Sequence, residues 1–196
     1  VCLTDLQYYS RYVILQLFPV ERIKRVAAPQ STAAARGANV SRLADAKRRG
    51  DPESPGFQLA DSPLYLMVRA VGRYAQQMEN ALNVSGMDLL SWRALMIVDE
   101  TSPSSVSEIA ERSVTRLSTM TRVVQRMEKK NLIKLAKRRS DARVTEVHLT
   151  PLGKRCVERE RATAGEIYRR AVCDFSAADI GAVNNLMRRI FANLSA

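Results

Sequence analysis

From Asp61 onward the apolar and polar positions follow one helical period after another. Leu64, Val68, Val71, Ala75, Met78 and Leu82 recur at three- and four-residue intervals, which places them on one face of an α-helix. Asp61-Ser62-Pro63 opens this helix with a polar N-cap candidate and a proline whose missing N–H costs nothing there. Ser85-Gly86 closes it. A second helix starts at Met87 or Asp88, runs over Leu89 to Val98, and stops at Thr101-Ser102-Pro103. Ser105 and Glu108 have capping-box spacing and begin a short third helix, Val106 to Arg112. After Ser113-Val114-Thr115 a fourth helix carries Leu117, Met120, Val124 and Met127 as one apolar stripe. Beyond Asn131, the run Leu132 to Ala136 and the stretch from Val144 to Leu149 read as two short strands. The charged tip between them spans Lys137 to Arg143. Thr150-Pro151 starts a long helix reaching about Phe175, weakened at Gly165 by about 1 kcal/mol relative to alanine. Ser176 and Asp179 cap a last helix with Ile180, Val183, Leu186, Met187, Ile190 and Leu194 on its apolar side.

This order predicts a mainly α fold: two helices, a helix-turn-helix, a β-wing, and two more helices. The first 60 residues are different. They hold four of the seven prolines and an Ala/Ser/Thr-rich stretch from Ala27 to Ala38, with no sustained period apart from an apolar patch near Ile14. Residues 1–60 therefore read as an N-terminal extension and residues 61–196 as the folded body. The chain begins with Val1, and its first methionine is Met67, inside a predicted helix. Two readings stand: an over-extended gene start with the native start at Val40, or a real, flexible, basic arm.

The fourth helix carries the chemistry. Opposite its apolar stripe lie Ser118, Thr119, Arg122, Gln125, Arg126 and Lys129, side chains able to bond to phosphates or base edges. Arg138, Arg139 and Arg143 crowd the wing. Charge sharpens the picture through its location. The whole chain has 31 Lys and Arg against 20 Asp and Glu, for +11 at neutral pH. Residues 112–143 alone hold eleven of those cations and two acids. Such a cluster is an electrostatic footprint for polyphosphate; the competing reading is a solvated charged face. The same stretch has no Phe, Tyr or Trp, whereas RNA-binding modules stack bases on aromatic rings. Duplex DNA is the favoured partner.

The run from Ser118 to Ile133 resembles the recognition helix and exit turn of MarR-family (multiple antibiotic resistance regulator) transcription factors. Asp141-Ala142-Arg143 is similar to that family's Asp-x-Arg wing motif, and Leu149 to Lys154 to the segment opening the next helix. The resemblance covers residues 61–196. It departs at Asn131, where the family usually has glycine; asparagine tolerates the left-handed conformation of a helix exit. The loop before the recognition helix is also shorter than the family's. The resemblance implies a winged helix over about residues 88–149, with dimerisation helices at about 61–84 and 150–195. It implies a homodimeric, sequence-specific regulator, a repressor released by a small aromatic or lipophilic effector, on an imperfect palindrome. Ser118, Thr119 and Arg122 would reach base edges in the major groove, with Arg126 and Lys129 on phosphates. Arg143 would enter the minor groove, and Asp141 would hold the wing turn. Tyr65, Arg69, Arg73, Tyr74 and Trp92, with Met78, are candidates for the effector gap; the competing reading makes the aromatic and Met positions plain core.

Other classes fit less well. The single histidine, His148, sits in a wing strand, and no Gly-rich phosphate loop, metal-spaced Cys/His cluster or nucleophile motif occurs. No enzyme, metal or cofactor is expected. Cys2, Cys156 and Cys173 are an odd number without paired spacing, which argues against a disulfide framework. The most apolar N-terminal stretch, Tyr12 to Val20, contains Gln16 and is too short for a span. The expectation is a cytoplasmic protein with no membrane role. A non-specific architectural DNA binder or an RNA-binding module is the alternative to a regulator.

Overall fold

Polar caps and left-handed exits set most helix boundaries in the computed structural model, which describes residues 45–196. The apolar patch near Ile14, Cys2 and the candidate start at Val40 lie outside the described residues. The elements are α1 (Pro63–Asn83), α2 (Leu89–Glu100), β1 (Ser104–Ser105), α3 (Val106–Arg112), α4 (Leu117–Lys129), β2 (Ile133–Arg138), β3 (Asp141–Leu149), α5 (Pro151–Ala171) and α6 (Ala177–Ser195). The strands form an antiparallel sheet in the order β1-β3-β2. This is a mainly α winged helix-turn-helix fold. No described helix is long and apolar enough to cross a membrane.

Side-chain caps hold the starts of α2, α3, α5 and α6. The Asp88 carboxylate accepts from the Ser91 N–H at 2.8 Å. At α3 the capping box is complete: Ser105 Oγ accepts from the Glu108 N–H, and the Glu108 carboxylate accepts from the Ser105 N–H at 2.6 Å. Those bonds hold the Glu108 carboxyl below its usual range, the backbone one foremost. Ser176 and Asp179 repeat the arrangement at α6. Ser62 stands directly before Pro63 at the start of α1, and its carbonyl accepts from the Leu66 N–H at 3.0 Å, while Asp61 closes a 3-10 turn, Leu59–Asp61, and faces Arg49 at 3.6 Å.

Three helices end in one motif, a Schellman pair of backbone bonds around a left-handed residue. After α1, Met87 N–H reaches the Leu82 carbonyl and Gly86 N–H the Asn83 carbonyl, with Gly86 at φ 69°. After α3, Thr115 N–H reaches Ala110 and Val114 N–H reaches Glu111. After α4, Leu132 N–H reaches Met127 and Asn131 N–H reaches Glu128. Asn131 adopts φ 54°, as its tolerance of that region predicts. Val114 is the outlier. A β-branched residue sits at φ 51° with 78% of its surface exposed, so it bears steric cost without burial in return. Val114→Gly is expected to stabilise the fold by about 0.5–1 kcal/mol, the left-handed strain relieved less the entropy glycine adds. An upward shift of the urea midpoint at unchanged slope would show it; a downward shift would count against the strain.

Contacts divide the chain into units of residues 1–76 and 77–196. In the described part of the first, residues 45–50 are helical and the Gln58 N–H donates to the Arg49 carbonyl at 2.8 Å. The second has a core of Met78, Leu82, Leu95, Val98, Ile109, Met120, Val124, Met127, Ile133, Val147 and Val157. α6 buries none of its residues.

Some boundaries differ from the sequence reading. On α4 the buried set is Met120, Val123, Val124 and Met127, while Leu117 is 52% exposed. Leu117 is the first helical residue, ahead of the turn that meets the core, and the buried stripe is wider than one residue per turn. The charged tip shrinks to Arg139-Ser140, because Lys137 pairs with Thr145 and Arg138 with Asp141, across an irregularity between Lys137 and Arg138. α2 runs on to Glu100. α5 stops at Ala171 rather than near Phe175, since Val172 leaves the helix at φ −117° and Phe175 N–H closes a turn onto Val172. That turn frees Ser176 to cap α6. Cys173 therefore lies past the helix.

Candidate nucleic-acid interface

Burial of Met120, Val123, Val124 and Met127 fixes the rotation of α4 and turns Ser118, Arg122, Gln125, Arg126 and Lys129 to the surface. Thr119 is half-buried beside them. Arg122 and Lys129 pair with no carboxylate among the described residues. The N-terminal end of α4 is bare. Its cap residue, Arg116, makes no side-chain capping bond, and no acid stands in the first turn. Unsatisfied N–H groups and the positive end of the helix dipole thus lie open to an anion there. Arg116 is exposed at that end, and the sequence reading passed over it. Its position immediately before the first helical residue was the available signal, since recognition helices lead with their N-terminal residues.

Two of the named arginines are already engaged. Arg126 donates to Asp88 Oδ2 at 2.7 Å and to Ser91 Oγ at 3.3 Å. Arg138 donates through Nε to Glu146 Oε1 at 2.8 Å, a bond that raises its own pKa further. Glu146 also faces His148 Nε2 at 3.7 Å. A phosphate would have to compete with those carboxylates. Arg112, likewise, is tied to Glu100 and to Thr101 Oγ1. Arg143 is different. Asp141 Oδ1 accepts from its backbone N–H at 2.9 Å, which shapes the start of β3 and leaves the guanidinium without an ion pair among the described residues. Arg139 is exposed on the two-residue tip. Once the internal pairs are removed, positive charge remains at Arg116, Arg122, Lys129 and Lys130 on the helix and its exit and at Lys134, Lys137, Arg139 and Arg143 on the wing.

The effector candidates divide between the units. In the first, the Arg69 guanidinium lies 5.7 Å from the Tyr65 ring centroid, Arg73 donates to Gln76 at 2.9 Å, and Tyr74 is part-exposed. In the second, Trp92 and Met78 are core residues, Trp92 only 4% exposed. Cys156 is buried on α5, and that burial pushes its thiol pKa up, against an activated thiolate.

The geometry has counterparts among known proteins. Residues 88–145 match the model of the MarR family. The chain is 35% identical over 144 residues to the HTH-type transcriptional repressor IacR of Pseudomonas putida, covering 74% of this chain and 86% of that one. A probable transcriptional regulator from Pseudomonas aeruginosa superposes with a TM-score of 0.60 at 28% identity, over 68% of this chain and 99% of the other. BpsR of Bordetella bronchiseptica, whose DNA binding is regulated by 6-hydroxynicotinic acid, gives 0.62 at 19% identity, over 68% and 96%.

Proposed function

The chain belongs to the MarR family of transcriptional regulators, and from that premise we propose that it is a homodimeric repressor that binds a specific, imperfectly palindromic DNA site and is released by a small organic effector. The observation that carries the DNA reading is the uncompensated surface of α4 and the wing. Ser118, Thr119, Arg122 and Gln125 face outward on a helix with a bare N-terminus, and Arg139 and Arg143 project from a hairpin beyond it. A helix N-terminus in the major groove reads base edges with its first two turns, while a flanking wing meets the backbone or minor groove. Arg116 joins this set. Lys129, a turn further on, suits phosphate, and Asp141 acts through the wing backbone rather than on DNA.

Pairing is supported by α6, where Val183, Leu186, Met187, Phe191 and Leu194 are all exposed in the single chain. A stripe of that size on a monomer calls for a partner, and two-fold pairing sets half-sites about one helical turn apart. The test is a fluorescence-anisotropy titration of the DNA upstream of the protein's own gene against a scrambled duplex at near-physiological salt. Saturable preference for the native segment supports regulation. Equal, steeply salt-dependent binding to this and to library-selected duplexes would mean an architectural role. In the same assay Arg143→Ala is expected to weaken binding several-fold and to reduce the salt slope by about 1. An unchanged slope would remove the wing from the interface.

A further inference from the structure

The wing changes register just below its tip. Lys137 stands opposite Thr145, yet the next residue, Arg138, stands opposite Asp141, so β3 has extra residues, Ala142 to Val144, at that point. An irregularity of this kind interrupts the ladder and lets the strand bend there. It falls between the regular sheet and the tip that carries Arg139 and Arg143, the wing arginines of the candidate interface. The backbone ladder alone therefore fixes those two side chains poorly.

The Arg138 side chain crosses the break. It reaches back along the sheet and donates through Nε to Glu146 Oε1 at 2.8 Å. Glu146 is suited to be an anchor. It lies on the central strand, opposite Ala136 of β2 and Ser105 of β1, and its side chain is only 17% exposed. Its other oxygen faces His148 Nε2 at 3.7 Å. Ser105 is also the N-cap of α3, so the anchor adjoins the first helix of the helix-turn-helix. Glu108, the other half of that capping box, and Asp141 at the tip add their attraction to Arg138. Three carboxylates thus act on one guanidinium, whereas Arg139 and Arg143 have no ion pair among the described residues. A guanidinium held by a charge-assisted bond to a fixed carboxylate is poorly placed to bind phosphate and well placed to act as a strut.

We infer that Arg138 and Glu146 are positioning residues of the wing: their ion pair spans the register break and holds Arg139 and Arg143 in place relative to α3 and α4, with neither member of the pair touching DNA. The step from a fixed tip to DNA affinity rests on the DNA-binding reading above. The competing account makes Glu146 a restraint on an arginine that would otherwise bind phosphate, and it predicts the opposite sign when the carboxylate is removed.

The test begins without DNA. Backbone amide order parameters at Arg139, Ser140 and Arg143 in the full chain are expected to fall in Arg138→Gln toward about 0.6, the flexible range. Unchanged values would overturn the brace. The pair is part-exposed and contributes little to global stability, so both Arg138→Gln and Glu146→Gln should fold with nearly the parent Tm. On a library-selected duplex each variant should weaken binding about fivefold, and the double variant no further, because all three break one contact. Tighter binding by Glu146→Gln, with a steeper salt dependence, would overturn the proposal in favour of the restraint. A third comparison separates positioning from contact. When Arg139 and Arg143 are both alanine, Arg138→Gln should cost nothing more, since the side chains it positions are gone. An undiminished loss in that background would place Arg138 on DNA itself and overturn the proposal. Failure to bind any duplex would count against the proposed function alone, since the order parameters are read on the free protein.

Discussion

Gly153→Ala should lower stability by roughly 3 kcal/mol, the upper end of the range for overpacking a closed site. A Cβ at this position would lie 2.0 Å from the Leu132 carbonyl oxygen and 3.0 Å from its carbon, with Leu149 Cδ2 at 3.3 Å. The obstacle is backbone, and it is pinned. The Leu132 carbonyl accepts from the Thr150 N–H at 3.1 Å and lies 3.1 Å from Thr150 Oγ1, which also donates to the Asn131 carbonyl at 2.7 Å. The Leu132 N–H closes the Schellman motif of α4 onto Met127. Relief therefore requires lifting the first turn of α5 off the exit of the recognition helix. That would also break the Thr150 cap, whose hydroxyl accepts from the Gly153 N–H at 3.0 Å. For a body of this size the loss corresponds to a Tm drop of about 6–12 °C. Thermal unfolding followed by far-UV circular dichroism measures it. A Tm within about 2 °C of the parent would mean that the two segments are not in close contact.

That junction shows what the sequence carried and what it did not. Thr150-Pro151 announced a helix start, and Asn131 announced a left-handed exit, because both signals are local. The need for glycine at position 153 is not local: it arises from the approach of Leu132, 21 residues earlier, which no spacing along the chain announces. The same division holds elsewhere. The Ser105–Glu108 and Ser176–Asp179 boxes were legible from spacing, and each forms. β1 was not, since two serines have no strand signature and pair with β3 only because α2 and α3 bring them there. Val114 could not be read as a helix exit, because its side chain disfavours the conformation that the tertiary fold imposes. In the candidate interface, helical periodicity identified the outward face of α4. Distinguishing free arginines from engaged ones required partners far along the chain: Asp88 lies 38 residues before Arg126. Charge counting treated Arg122 and Arg126 alike, and the folded chain does not.

Arg122→Ala is accordingly expected to cost about 1–3 kcal/mol of DNA binding, roughly 5- to 150-fold in affinity for the specific site. Arg122 stands near the middle of the exposed face of α4, beyond Ser118 and Thr119, and has no ion-pair partner among the described residues. Its guanidinium can thus be committed to a base edge at little internal cost, and a bidentate contact to guanine is the commonest specific use of arginine in the major groove. Because nothing in the fold leans on it, thermal stability should change by no more than about 0.5 kcal/mol. The loss should also be selective. Affinity for a scrambled duplex, set by counterion release, falls far less than affinity for the specific site, so the ratio between them contracts. Arg126→Ala provides the contrast. It breaks a half-exposed pair with Asp88 worth at most about 1 kcal/mol to the fold, and its effect on DNA should be smaller and similar on both duplexes. Arg122→Lys separates charge from shape: it retains attraction to phosphate but loses the planar fork, and should recover non-specific affinity without restoring the ratio. Equal loss on both duplexes for Arg122→Ala, with Arg122→Lys restoring everything, would place this residue on the phosphate backbone instead and move the reading of bases toward Ser118, Thr119 and Arg116.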